Sequence, residues 1–253
     1  MGACNTIAVL KTRVDALDYG EAASRIIRAA KNREHGYVCA ANVHMVMEGW
    51  DDASFRNIVN GARLVVPDGM PLVWAMRMLG CPGQTRVYGP TLMRHCLDLA
   101  SRDSVRIGLL GGTEASLLGL IHNINQWYPT VEISYSFSYP FDKVSSDELN
   151  RITARIRASE TQLLFVGLGC PKQERWMARV TDVLPMILFG VGAAFDFFSG
   201  SQPMAPAFLQ QVGLEWAYRL VVEPRRLFKR YAKHNPRFVA LLFKQLLRSR
   251  LRK

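Results

Sequence analysis

ETQLLFVGLGCPKQERWMARVTDVLPMILFGVGAAFDFFSG, residues 160–200, is the stretch that decides the fold. Its apolar run Gln162 to Val166 meets the turn Gly167-Leu168-Gly169-Cys170-Pro171, and then a polar start, Lys172-Gln173-Glu174-Arg175-Trp176. This order predicts a strand, a glycine loop and a helix. Pro171 suits the first helical position, where a missing N–H costs nothing. Such a loop bares backbone N–H groups at a helix N-terminus, which suits a phosphate. A second apolar run, Met186 to Val191, leaves through Gly190-Val191-Gly192 towards Asp196. Two strands with glycine-rich exits predict a ligand crevice.

The same grammar extends towards the N-terminus. An edge strand is predicted over residues 7–15, and an amphipathic helix over Tyr19 to Asn32 with Ala22, Ile26, Ile27 and Ala30 on one face. Strands are predicted at Tyr37 to Ala41, at Leu64 to Val66 before Pro67-Asp68-Gly69, at Val105 to Leu110 before Gly111-Gly112, and at Val131 to Tyr139. Helices are predicted around Met45 to Asn60, Leu72 to Leu79, through Ala100, over Glu114 to Tyr128, and over Ser146 to Ala158 with Ser146 or Asp147 as cap. Strands alternating with helices at this spacing predict an α/β fold: a Rossmann-like, mainly parallel sheet with helices on both faces. After Gly200 the pattern changes to helices alone, at residues 206–222, at Arg225 to Lys233, and again from Pro236. The expected organisation is an α/β catalytic domain over residues 1–200 and a basic all-helical C-terminal appendage over 201–253.

Charge sharpens that division. Residues 201–253 hold twelve Lys and Arg against Glu215 and Glu223, so this tail carries +10 of the chain's net +11. A concentrated cationic element meets phosphate, whether in nucleic acid, an anionic membrane or a diphosphate ligand. The five cysteines are odd in number and scattered, with no C-x-x-C pair, so no disulfide framework or zinc ribbon is expected and a reducing cytoplasm fits. The longest uncharged apolar run, Val183 to Phe195, falls short of the roughly 20 residues a spanning helix needs.

Three loops have the look of nucleotide cradles: Gly108-x-x-Gly111-Gly112, Gly167-x-Gly169 and Gly190-x-Gly192. None completes G-x-G-x-x-G, and no G-x-x-x-x-G-K-[ST] loop occurs, which weighs against a dehydrogenase. The alternative is that these glycines only let strands turn into helices. Asp68, at a strand end before a helix, reads either as a cap or as a general base at the rim of the crevice. Asp196, among Phe195, Phe197 and Phe198, reads as structural. His44 reads as packed under the sheet. No Asp-x-Asp occurs and the five His show no ligand spacing, so no metal site is signalled.

Several segments occur together and in order: Pro67-Asp68-Gly69-Met70-Pro71, Arg86-Val87-Tyr88-Gly89, Leu109-Leu110-Gly111-Gly112, Val166 to Glu174, Gly190 to Asp196, Gly213 to Leu220, and Glu223-Pro224-Arg225-Arg226. This set resembles the WecG/TagA/CpsF glycosyltransferase family over roughly residues 7–240. The resemblance implies a bacterial enzyme of cell-surface or exopolysaccharide synthesis. Such an enzyme moves a hexose or N-acetylhexosamine from a UDP-sugar to a polyprenyl-diphosphate-linked acceptor at the cytoplasmic face of the inner membrane, with inversion, without a cofactor and without a required metal. It implies Asp68 as catalytic base with Arg86 beside it. It implies a substrate site of Asn42, Gly111, Gly112, Gly169 and Gln173, with Arg219, Arg225, Arg226 and Arg230 closing over the diphosphate. Two departures bear on sugar identity: Ala40-Ala41-Asn42 replaces Thr-x-Asn, and Met204-Ala205-Pro206 replaces Arg-Ala-Pro. Oligomeric state stays open. No nucleic-acid partner is expected on this reading; the alternative is a basic nucleic-acid-binding Rossmann-like protein. In the tail, the stripe Phe238, Val239, Leu242, Phe243 and Leu246, flanked by Lys244, Arg248, Arg250, Arg252 and Lys253, is expected to meet an anionic membrane surface.

Overall fold

The computed structural model describes residues 6–138, 145–206, 208–209 and 213–251, without the side chains of Arg226 and Arg250. Six parallel strands form the sheet: β3 (Gly36–Ala41), β4 (Leu64–Pro67), β5 (Ile107–Gly111), β6 (Ile133–Phe137), β7 (Leu163–Gly167) and β8 (Ile187–Gly190). Their spatial order is β4-β3-β8-β7-β5-β6. Alternate residues of each strand enter opposite cores. Cys39, Val65, Leu164, Val166 and Leu188 face one side. Val38, Val66, Leu163, Phe165, Ile187 and Phe189 face the other. Both faces are therefore covered, and the strands read as continuous apolar runs.

One face is covered by α1 (Tyr19–Lys31), α5 (Gly89–Asp103), α6 (Glu114–Trp127) and the short α9 (Ala194–Phe198). The other carries α2 (Val43–Asp51), α3 (Ala53–Gly61), α4 (Met70–Met78), α7 (Ser146–Ala158) and α8 (Lys172–Val180). Several starts are fixed by side chains: Asp18, Asn42, Asp52, Thr113 and Ser145 each accept a backbone N–H in the first turn. Each such cap is worth about 1 kcal/mol. The cap of α7 is thus Ser145, one residue before the predicted candidates.

Several expectations change. Residues 7–15 form a hairpin, β1 (Thr6–Val9) and β2 (Thr12–Asp15), in a separate two-stranded sheet. Its turn uses Leu10 and Lys11 at φ of 48° and 71°, so no glycine marks it in the sequence. The helix predicted over Met45 to Asn60 divides at Asp52, which ends α2 and caps α3. Cys81 is disulfide-bonded, with its partner outside the described residues; Cys39, Cys96 and Cys170 are free.

The tail also differs. Of the helix predicted over residues 206–222, Phe208 and Leu209 are helical, and α10 (Glu215–Val222) forms a separate helix. Gly213, at φ 77°, turns the chain immediately before it. The two further predicted helices are one, α11 (Pro224–Arg250), with Pro236 inside it. An internal proline costs a helix about 3 kcal/mol. Tertiary anchors on both sides offset that cost. Arg237 makes a bidentate pair with Asp51 at 2.5 and 2.9 Å, and Phe238 and Leu242 lie in the core. Burying two such side chains supplies about 3–6 kcal/mol. The predicted lipid-facing stripe therefore splits. Phe238, Leu242 and Leu246 pack on the body, while Val239, Phe243, Leu247 and Leu251 are exposed.

Candidate active site

The C-terminal ends of β3 and β4 deliver Asn42 and Asp68 to the rim of the sheet. Over them, α10 and α11 close a cavity of about 420 Å³, into which Asn42, His44, Asp68, Arg86, Arg219 and Arg230 project. Met70, Trp74 and Met78 of α4, with Phe238, Val239 and Leu242 of α11, form its apolar wall.

Asp68 is held from both sides. Its N–H donates to the Ala41 carbonyl at 2.8 Å, which locks it to β3. Its Oδ1 accepts the Gly89 N–H at 2.6 Å, at the start of α5. The cap reading was thus half right: Asp68 caps the helix after next through one oxygen. No hydrogen bond reaches its second oxygen from the described residues. Burial raises the Asp68 pKa above the usual carboxylate value; Arg86 and the Gly89 N–H pull it down, and Glu215 adds to the rise. A carboxylate made more basic by burial, with one oxygen unspent, is suited to accept a proton.

Arg86 organises the neighbourhood. Its Nε donates to the Asp68 carbonyl, its Nη1 lies 2.7 Å from Glu215 Oε2, and its guanidinium stacks 4.0 Å above the Tyr88 ring. Burial works against the Arg86 charge, but Asp68 and Glu215 outweigh it and raise the pKa above its ordinary value. The guanidinium is therefore a fixed cation tying α10 to the loop before α5. Arg219, one turn after Glu215, lies 5.5 Å over the Phe197 ring and faces the same cavity.

Not every residue assigned to the substrate converges here. Gly111, Gly112, Gly169 and Gln173 do not line the cavity. Three of the loop amides that were expected to be bare are spent within the protein. The N–H groups of Gly169 and Gly192 both donate to Gln173 Oε1 at 3.2 Å, and that of Gly112 donates to the Gly167 carbonyl at 3.2 Å. Gln173 is 4% exposed, and its Nε2 donates to Glu174 at 2.7 Å. It clasps the β7 and β8 loops together. Arg225 is exposed and outside the cavity lining. It precedes Arg230 by five residues, which places it about 140° away around the helix. The side chain of Arg226 lies outside the described residues. Asp196, expected to be structural, accepts from Ser116 Oγ at 3.3 Å and is not among the cavity-lining residues.

Sequence reasoning missed four residues. Glu215 had counted only as a stray acid in the tail, although its place four residues before Arg219 puts both on one helical face. Tyr88 is the platform for Arg86. His44 is not under the sheet but in the cavity wall with His234. Both contact Glu48, at 3.5 and 3.6 Å, so the histidines do form a cluster despite having no ligand spacing in the sequence. Burial pushes the His44 pKa down to about 3, helped by Arg230, His234 and Lys233.

Comparison with known proteins identifies the family. Residues 7–252 match the model of the glycosyl transferase WecG/TagA/CpsF family. A protein of Bacillus spizizenii named N-acetylglucosaminyldiphosphoundecaprenol N-acetyl-beta-D-mannosaminyltransferase is 29% identical over 192 residues, covering 75% of this chain and 72% of the relative. Proteins of the same name in Bacillus subtilis and Staphylococcus aureus are 27% identical, over 75% and 76% of this chain and 72% and 74% of theirs. The chain therefore belongs to the WecG/TagA/CpsF family of glycosyltransferases.

Proposed function

We propose that this enzyme transfers a hexose or N-acetylhexosamine, with inversion, from a UDP-sugar to a polyprenyl-diphosphate-linked sugar in the assembly of a bacterial surface polysaccharide. The observation that carries this reading is the cavity itself, in which the basic carboxylate of Asp68 faces Arg219 and Arg230 beside an apolar wall. The relatives' name, with its undecaprenyl diphosphate acceptor and mannosaminyl product, supports an N-acetylmannosamine donor.

An inverting transfer is a single displacement. Asp68 takes the proton of the acceptor hydroxyl as that oxygen attacks the anomeric carbon, and the nucleoside diphosphate leaves from the opposite face. Arg219 and Arg230 supply the charge that meets the leaving diphosphate, a role for which the chain offers no Asp-x-Asp metal motif. Arg86 and Glu215 hold α10, and hence Arg219, at the correct height. The loops after β7 and β8 contribute through rigidity, since Gln173 ties the Gly169 and Gly192 amides together.

The second part of the proposal is peripheral attachment to the cytoplasmic membrane face. No helix among the described residues is long and apolar enough to cross a membrane. Val239, Phe243, Leu247 and Leu251 instead present an exposed apolar line along α11, with Lys244 and Arg248 also exposed. Such a helix lies in the interface with its charges on anionic headgroups. The residues from 201 onward thus act as an appendage that both completes the site and meets the acceptor's bilayer.

The test is transfer of radiolabelled sugar from UDP-N-acetylmannosamine, UDP-glucose or UDP-N-acetylglucosamine to a short-chain prenyl-diphosphate N-acetylglucosamine. Lipid-extractable product from one donor is expected. The absence of product from every donor, with UDP giving no thermal shift, would contradict the reading.

A further inference from the structure

The structure assigns a second site to the junction of α2 and α11: we propose that His44, Glu48 and His234 bind a divalent transition-metal ion of the zinc class, which staples the C-terminal helix to the body. His44 and Glu48 are one turn apart on α2, and His234 reaches them from α11. One ligand atom from each lies within 4.8 Å of the other two. The two histidine Nε2 atoms stand 3.5 and 3.6 Å from Glu48 Oε1. Hydrogen bonds from nitrogen to oxygen are shorter, at about 2.7–3.2 Å. Ligand atoms around a tetrahedral zinc, with bonds of about 2.0–2.1 Å, are separated by roughly 3.3–3.4 Å. The cluster is spaced for an ion rather than for direct hydrogen bonding.

His234 gives an independent indication. Its ring is 3% exposed, and its Nδ1 is buried without a hydrogen-bond partner. Its Nε2 makes only the long contact to Glu48. Buried polar side chains are nearly always partnered; an ion shared with Glu48 would give Nε2 a partner, while Nδ1 takes no part in the cluster. Two imidazoles and one carboxylate suit Zn²⁺, Co²⁺ or Ni²⁺, whereas Mg²⁺ and Ca²⁺ favour all-oxygen sites. Both histidines line the cavity, which leaves a fourth position open to water. The neighbouring cations Arg230 and Lys233 work against the ion, and Asp51 is already committed to Arg237. The expected affinity is accordingly that of a modest three-ligand site.

The role is mechanical, and its test needs no sugar transfer. Arg230, one turn before His234, lines the cavity, so an ion at this junction fixes the height of that arginine. The test uses the full chain stripped with EDTA and titrated with Co²⁺ or Zn²⁺ alone. Wild type is expected to bind about one equivalent, to give the visible band of tetrahedral Co²⁺, and to melt at higher temperature with Zn²⁺. His234→Gln and Glu48→Gln are expected to melt like stripped wild type without metal, to bind at least roughly tenfold more weakly, and to gain no thermal shift. No uptake by wild type, or undiminished uptake by both variants, as from ions held at thiols instead, would overturn the assignment.

Discussion

Glu174→Gln tests the clasp beneath the site in a way that can be worked through in numbers. Glu174 is fully buried; one oxygen accepts from Gln173 Nε2 at 2.7 Å, and the other has no hydrogen-bond partner. Burial pushes its carboxyl up to about 7 from 4.5, with Gln173, its own backbone and Cys170 pulling the other way. The folded state therefore holds a proton that the unfolded chain releases. Stability from this group is full below about pH 4.5 and is lost as pH rises through about 7. The shift corresponds to about 3 kcal/mol at 1.36 kcal/mol per pKa unit. Glutamine keeps the acceptor for Gln173 and never ionises. The variant is thus expected to match wild type near pH 4, and to exceed it by up to about 3 kcal/mol near pH 8.5. For a chain of this size that is on the order of 6–12 °C in Tm. Thermal melts of both proteins across this range supply the measurement, and other titrating groups cancel in the difference. A difference in Tm that stays constant with pH would refute the buried, protonated clasp.

Further outcomes concern the tail. Arg219→Ala, which removes a cation from the cavity wall, is expected to lower kcat/KM by roughly 10²–10³, as loss of a transition-state donor does. Arg225→Ala, on another face of the helix, is expected to cost less than about threefold; steady-state kinetics on a soluble acceptor separate the two. Val239→Ser with Phe243→Ser alters side chains that are 64% and 61% exposed. It is expected to weaken binding to anionic vesicles by about 2–4 kcal/mol, with the Tm unchanged; sedimentation with vesicles checks this, and undiminished pelleting would contradict it.

The sheet was legible because its inner strands are short apolar runs ended by Gly or Asn, and burial on both faces leaves that pattern uninterrupted. The place of Asp68 at the cavity rim was legible as well, since it directly follows a strand. The tail was less so. Pro236 reads as a helix start, and only the anchoring of Arg237 and Phe238 on the body lets α11 run through it. The stripe from Phe238 to Leu246 merges two faces that local sequence cannot assign without knowing that one is already covered. Gln173 was assigned to the substrate by the family resemblance alone; in the structure its Oε1 accepts the N–H groups of Gly169 and Gly192. His44 and His234 stand far apart in the chain, so nothing in either neighbourhood announces their meeting.

The role of Asp68 as base in a glycosyl transfer turns on Asp68→Asn. Asparagine retains a carbonyl to accept the Gly89 N–H, so Asp68→Asn is expected to leave the Tm and UDP binding intact. Its single-turnover rate of sugar transfer to a soluble prenyl-diphosphate acceptor should fall by roughly 10²–10⁴, the usual loss with a general base. A rate within about threefold of wild type, in a variant that still binds UDP, would return Asp68 to the role of a helix cap and remove the base from this mechanism.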